Sequence, residues 1–165
     1  GHVNYHLYEK CGQAAFDGTK DGETSPLKVQ IISRAKRDLM KYYSMAGFEV
    51  DSVLVMTWVG VQHLSSSNDE QEKNTFQAVF VSGWEKKYQD GQERLLEEET
   101  SYVIFLYQQG QMNWTYVAGR LINIGFTGNI MPDTDTAFVS TLDKVKGNTG
   151  YNGVYSYQTG KSNSP

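Results

Sequence analysis

Apolar and polar positions alternate from the first residues of the chain. In HVNYHLYE, residues 2–9, Val3, Tyr5 and Leu7 fall on one side of a two-residue period, and His2, Asn4, His6 and Tyr8 on the other. That period predicts a half-buried strand. The segment CGQAAFDGTKDGETSP is broken by Gly12, Gly18, Gly22 and Pro26 and reads as a loop. Ser25-Pro26 then opens a helix. Serine at the cap accepts an orphan backbone N–H, and proline in the first turn forfeits no hydrogen bond. Ile31/Ile32, Ala35, Leu39 and Tyr42/Tyr43 follow at steps of three and four and make one apolar stripe. The spacing predicts a helix over residues 27–46, with Gly47 placed to end it in a left-handed conformation.

The period changes after the helix. VDSVLVMTWVGVQHL, residues 50–64, is a nearly continuous apolar run, and NTFQAVFVSGW (74–84) and SYVIFLY (101–107) are similar. Runs of this kind, rich in β-branched and aromatic residues, predict strands covered on both faces. SSSNDEQEK (65–73) and EKKYQDGQERLLEEE (85–99) read as polar loops, the second around the turn pair Asp90-Gly91. GQMNWTY continues the sheet past Gly110. LINIGFTGN and TAFVSTL add two more strands, and GVYSYQTG (153–160) is a late one. One helix followed by strands without helices between them predicts an α+β fold: a mostly antiparallel, sandwich-like sheet with the amphipathic helix on one face.

Composition narrows the function classes. The chain has 165 residues, a net charge of −4 and 13% aromatic residues, enough length for a sizeable core. Its most basic stretch, SRAKRDLMK, places Arg34, Lys36, Arg37 and Lys41 on the helix, where they read as a solvated face. No basic stripe suggests nucleic acid as a partner. No apolar run reaches the ~18 residues of a membrane span, and no secretory leader opens the chain, which reads as a processed chain or a piece of a longer one. Cys11 is the only cysteine, so a disulfide requires a cysteine on another chain or segment; a free thiol is the other reading.

The ordered set of motifs is similar to the nidogen (NIDO) domain family. It comprises GHVNYHLYEK, a helix with SRAKRDL, Met56-Thr57-Trp58, Asn74-Thr75-Phe76-Gln77, Tyr102-Val103-Ile104-Phe105, Trp114-Thr115, INIGFTGN and the closing GVYSYQTG. No single motif is strong, and the order is what is specific. Two departures stand out: the family's upstream strand-forming segment is missing, and the insertion around Asp90-Gly91 is longer than the family's turn. The resemblance implies residues 1–160 as a single domain of a larger extracellular protein, with 161–165 as a frayed tail. It also implies a non-enzymatic module in matrices, mucous coats and surface layers, and brings no catalytic residues. Trp58 and Trp114 read as core, and Asn74 and Thr75 as strand-start residues bonded to local backbone.

Chemistry-bearing residues are few. His2, His6 and His63 lack the spacing of a zinc site. Asp17, Asp21 and Glu23 in one loop, and Asp133 and Asp135 in another, are low-weight calcium candidates that more simply form turns. Glu97 to Glu99 read as a solvated acidic loop rather than a glycosidase pair. No cofactor motif is present. Asn113-Trp114-Thr115 is the one glycosylation sequon, on an expected strand.

Two functions are therefore weighed. In the first, the domain is a structural or adhesion module whose sheet edge docks matrix or surface proteins, neighbouring domains or another copy. In the second, it is a carbohydrate-binding module using exposed rings, with Tyr88, Tyr151, Tyr155 and Tyr157 as candidates. A row of solvent-facing rings favours sugar. Buried rings beside an open edge favour assembly.

Overall fold

The computed structural model describes residues 1–10, 25–45, 47–62, 73–88, 95–113 and 142–161. Its elements are β1 (His2–Glu9), α1 (Pro26–Tyr43), β2 (Phe48–Val61), β3 (Asn74–Tyr88), β4 (Leu95–Tyr107) and β5 (Val154–Lys161). The strands form one five-stranded sheet in the order β1-β2-β3-β4-β5. Cross-strand bonds give its sense. Ser52 pairs with Ser82 and Thr57 with Gln77, while Ser101 pairs with Thr159 and the Tyr107 N–H donates to Gly153 O. In both strand pairs the numbers rise on one strand as they fall on the other, the mark of antiparallel pairing. The α+β, mostly antiparallel expectation holds.

The chain packs as two compact units. One comprises Gly1–Asn4, Met56–Ala78 and Ile104–Tyr155, the other Tyr5–Val55, Val79–Val103 and Ser156–Pro165. The second holds the helix. Its apolar stripe is seated through Ala35 and Leu39, both buried, as are Phe48, Val50, Val53, Val81, Tyr102 and Val103. Tyr102 is the centre of this packing. Tyr43 lies 4.8 Å from it between ring centroids, and Phe48 meets it edge-on at 5.5 Å, a geometry favoured by aromatic quadrupoles. The Tyr102 hydroxyl reaches Met45 Sδ, and the Tyr43 hydroxyl donates to Ser156 Oγ. Burial raises the Tyr43 pKa, and the Ser156 bond offsets part of that rise. Gly83 is needed here because a Cβ would strike Glu49 O and the Phe48 ring.

The first unit is built on aromatic stacking. Trp58 lies flat on Phe76 at 5.0 Å; Phe76 and Tyr107 are 5.8 Å apart, and Tyr155 meets Tyr107 edge-on at 5.9 Å. Met112 and Leu142 complete the buried cluster around Tyr107.

The helix start is where it was expected, with Ser25 at the cap and Pro26 in the first turn, but the Ser25 side chain makes no cap bond. The Val29 N–H instead donates to the Ser25 carbonyl. The helix stops earlier than Gly47: Ser44 takes the left-handed position at φ 53°. Several strand boundaries also differ. β3 runs on to Tyr88 and β4 begins at Leu95, so much of the acidic 85–99 insertion is sheet. β4 ends at Tyr107, and Gly110 adopts φ 77° and donates its N–H to Asp143; of the expected continuation GQMNWTY, residues 110–113 are not in a strand and 114–116 lie outside the described residues. Lys161, assigned to the tail, is the last residue of β5. The expected strands LINIGFTGN and TAFVS lie outside the described residues, and Leu142, the last residue of TAFVSTL, is in a turn.

Candidate functional site

β1 departs most from its expected environment. It is a strand, yet it is not half-buried: Val3, Tyr5 and Leu7 are 47%, 72% and 57% exposed, and His2, Asn4 and His6 on the opposite face are exposed as well. The backbone register explains which groups it presents. The Lys10 N–H donates to Asp51 O at 2.7 Å, and Gly1 sits against Gly60 at the other end of the strand pair. In such a ladder, alternate residues turn their N–H and C=O toward the partner strand. Tyr8, His6, Asn4 and His2 therefore face β2, while Val3, Tyr5, Leu7 and Glu9 turn theirs away from it, to the side where no strand lies among the described residues. The residues with outward-turned backbone groups are thus the same ones that carry the apolar row.

Electrostatics fasten one end of this strand. Glu49 accepts from Lys36 Nζ at 2.7 Å and from Lys10 Nζ at 3.3 Å. The Lys36 bond, with a smaller contribution from Lys10, holds the Glu49 carboxyl below its ordinary pKa. Between His2 and Tyr8 the strand has no Lys, Arg, Asp or Glu. Edge strands commonly carry such charges to discourage pairing with another chain.

The remaining candidates are scattered. His2 and His6 are both exposed on β1, and the nearest ring recorded for His6 is Tyr8 at 6.5 Å. Among the described residues no group of three metal-ligating side chains assembles. Cys11, Asp17, Asp21, Glu23, His63, Trp114, Asp133 and Asp135 lie outside the described residues, as do the side chains of Tyr88 and Glu97. Of the helix cations, Arg34 pairs with Asp38 at 2.7 Å, which raises its pKa, and Arg37 and Lys41 are exposed. Of the ring candidates for sugar, Tyr155 is committed to Tyr107 and half-buried, Tyr157 is half-buried, and Tyr151 is exposed. Trp58 is half-buried rather than fully enclosed.

Asn113 is exposed and lies beyond the end of β4, not on a strand. Its N–H donates to Asn74 Oδ1 at 2.7 Å, and its own Nδ2 reaches Lys73 O. Asn74 is wholly buried, and its Nδ2 reaches Val61 O. It therefore joins segments distant in sequence rather than bonding local backbone. Two residues were passed over in the sequence. Asp143 is buried with Oδ2 accepting from Gly110 and, among the described residues, no partner for Oδ1; nothing in LDKVKGN marks it as buried. Trp84 is exposed on β3, and only its position at the polar end of a strand hinted at that.

No helix among the described residues is long and apolar enough to cross a membrane. No curated protein and no solved structure matches the chain. The family comparison does match, over residues 22–161, a span that takes in α1 and β2 to β5 and leaves β1 outside. Spanning most of the sequence, that match places the chain in the nidogen-like domain family.

Proposed function

We propose that this domain is a non-enzymatic module of an extracellular matrix or surface layer, and that it assembles with other proteins through its β1 edge. Family membership supports the extracellular, structural part of this reading. The observation that supports the docking part is β1 itself, the edge strand among the described residues, with Val3, Tyr5 and Leu7 exposed in one uncharged row. An open edge supplies unpaired backbone groups for strand addition, and alternate side chains supply the apolar contact. The carbohydrate reading has less support, because Tyr155 and Tyr157 are half-buried and Tyr151 does not extend them into a solvent-facing row.

The test is incorporation. Tyr5→Lys and Val3→Lys place charge on the edge without touching the core. When secreted from cultured cells, both variants are expected to enter the deposited matrix less than the parent chain, with circular dichroism unchanged. Equal incorporation would refute docking through β1. Retention on an immobilised glycan array that Tyr151→Ala abolishes would favour sugar instead.

A further inference from the structure

We propose that Asn152 is a site of spontaneous deamidation, and that opening of the hairpin from Val145 to Gly153 sets its rate. Asn152-Gly153 is the one Asn-Gly step in the chain. Glycine after asparagine favours this chemistry, because a residue without Cβ leaves its backbone nitrogen unhindered and its dihedrals free. The Gly153 nitrogen, on losing its proton, attacks Asn152 Cγ. A bond forms between that nitrogen and Cγ, the Cγ–Nδ2 bond breaks, and Nδ2 takes up the proton and leaves as ammonia. Water then opens the cyclic imide. Cleavage at Cγ gives aspartate; cleavage at the main-chain carbonyl gives isoaspartate, whose backbone is one methylene longer. Water is the only co-reactant, and nothing is required of β1 or of a partner.

The fold holds the nucleophile away from this reaction. All the residues concerned lie in the first compact unit. Lys146 and Asn152 face each other as an antiparallel bridge, and the Gly147 N–H donates to Tyr151 O. Asn152 is exposed, so the electrophile stands ready in water, but Gly153 is buried. The Gly153 N–H donates to Val145 O at 3.0 Å, and its carbonyl accepts from the Tyr107 N–H at 2.8 Å. Its φ is 69°, and its backbone lies so close to Tyr107 O that a Cβ would collide there. Bound through both its N–H and its C=O, Gly153 can neither release its proton to solvent nor swing onto Cγ until the Val145 bond opens. Thr149 resists that opening: its hydroxyl donates to Val154 O at 2.7 Å and accepts from the Tyr151 N–H. The two products differ in consequence. Aspartate keeps the chain length and sets a carboxylate across from Lys146. Isoaspartate adds a methylene inside the bonded frame and displaces Gly153 from its register with Val145 and Tyr107.

Ageing the full chain at neutral pH, followed by tryptic mapping with mass spectrometry and electron-transfer fragmentation, reads both products. Asn148 and Asn152 are both exposed and fall in the same tryptic peptide, residues 147–161. Asn148, followed by the β-branched Thr149, is therefore the internal control. In urea, Asn152 is expected to convert well ahead of Asn148. In the folded chain its conversion is expected to be slower by about tenfold or more, in proportion to the fraction of time the hairpin is open. Thr149→Ala should speed conversion of Asn152 in the folded chain and leave its rate in urea unchanged. Asn152→Gln should abolish the product. Exchange of the Gly153 amide with deuterium gives the open fraction in the parent chain, a second reading should Thr149→Ala not fold. The site is wrong if Asn152 converts no faster than Asn148 in urea. The gate is wrong if folding gives no protection, if folded Thr149→Ala converts at the parent rate, or if conversion does not follow Gly153 exchange.

Discussion

Asn113 donates its backbone N–H to Oδ1 of the fully buried Asn74 at 2.7 Å, tying the segment after β4 to the first residue of β3. Asn74 uses its other end on the carbonyl of Val61, the last residue of β2. Asn74→Ala removes both bonds and leaves a small hole where a wholly buried side chain joined Val61 to Asn113. A loss of about 1–3 kcal/mol is expected from the two hydrogen bonds removed, at about 0.5–1.5 kcal/mol each, measured by urea denaturation. Asn113→Gln keeps the backbone donor and should cost well under that. In secreted material it should also abolish any mobility shift produced by glycosidase, which checks the sequon independently.

Asp143 poses a different question, because one carboxylate oxygen accepts from Gly110 and the other has no partner among the described residues. Asp143→Asn can keep the acceptor for Gly110 while removing the charge, so it is expected to be neutral or mildly stabilising. Asp143→Ala leaves the Gly110 N–H without its partner and should cost about 1–3 kcal/mol. Equal losses for the two variants in denaturant titrations would mean that the negative charge itself is required.

Glu49 gives the acid side of the pH profile. Its folded pKa is depressed, chiefly by Lys36. Its contribution is therefore fully present above the unfolded carboxylate value near ~4.3 and disappears as pH falls through the lower folded value. The side chain is 42% exposed, so solvent screening limits the effect to below about 1 kcal/mol. Glu49→Gln should remove that part of the acid dependence, seen as thermal midpoints that fall less steeply at low pH.

Tyr43 gives the alkaline side. Its folded pKa is raised by burial, so stability is intact below the unfolded tyrosine value of about 10 and declines as pH climbs from there through the folded value. Tyr43→Phe is expected to lower stability modestly at neutral pH through loss of the Ser156 bond. It should also flatten the alkaline decline, measured by fluorescence-detected unfolding across that range.

The sequence carried the periodicities well. The stripe from Ile31 to Tyr43 foretold which helix residues seat against the strands, and Ala35 and Leu39 are indeed buried. The apolar run in β4 foretold cover on both faces: Tyr102, Val103 and Ile104 are consecutive and all buried. Local rules failed where long-range contacts decide. Gly47 looked like the helix terminator because glycine tolerates positive φ, yet Ser44 accepts that conformation, with Tyr43 immediately before it held by Tyr102 and Ser156. The alternation in β1 suggested a buried face, but alternation records only which residues share a side. Whether that side is covered depends on strand order, and β1 lies at the edge. The role of Asn74 was likewise illegible, because its partners Val61 and Asn113 are far away in sequence.

That edge position has a consequence for how the molecule breathes. Among the described residues β1 is bonded to one neighbouring strand, contributes no buried side chain, and is tied at its end by a solvent-exposed lysine–glutamate contact. Very little resists its detachment, so the amides it shares with β2 should exchange with deuterium through release of this strand alone, long before those around Val81 and Val103 open. The least protected ribbon of the described sheet is thus β1, and anything that covered it would appear as a selective slowing of exchange in residues 2–9.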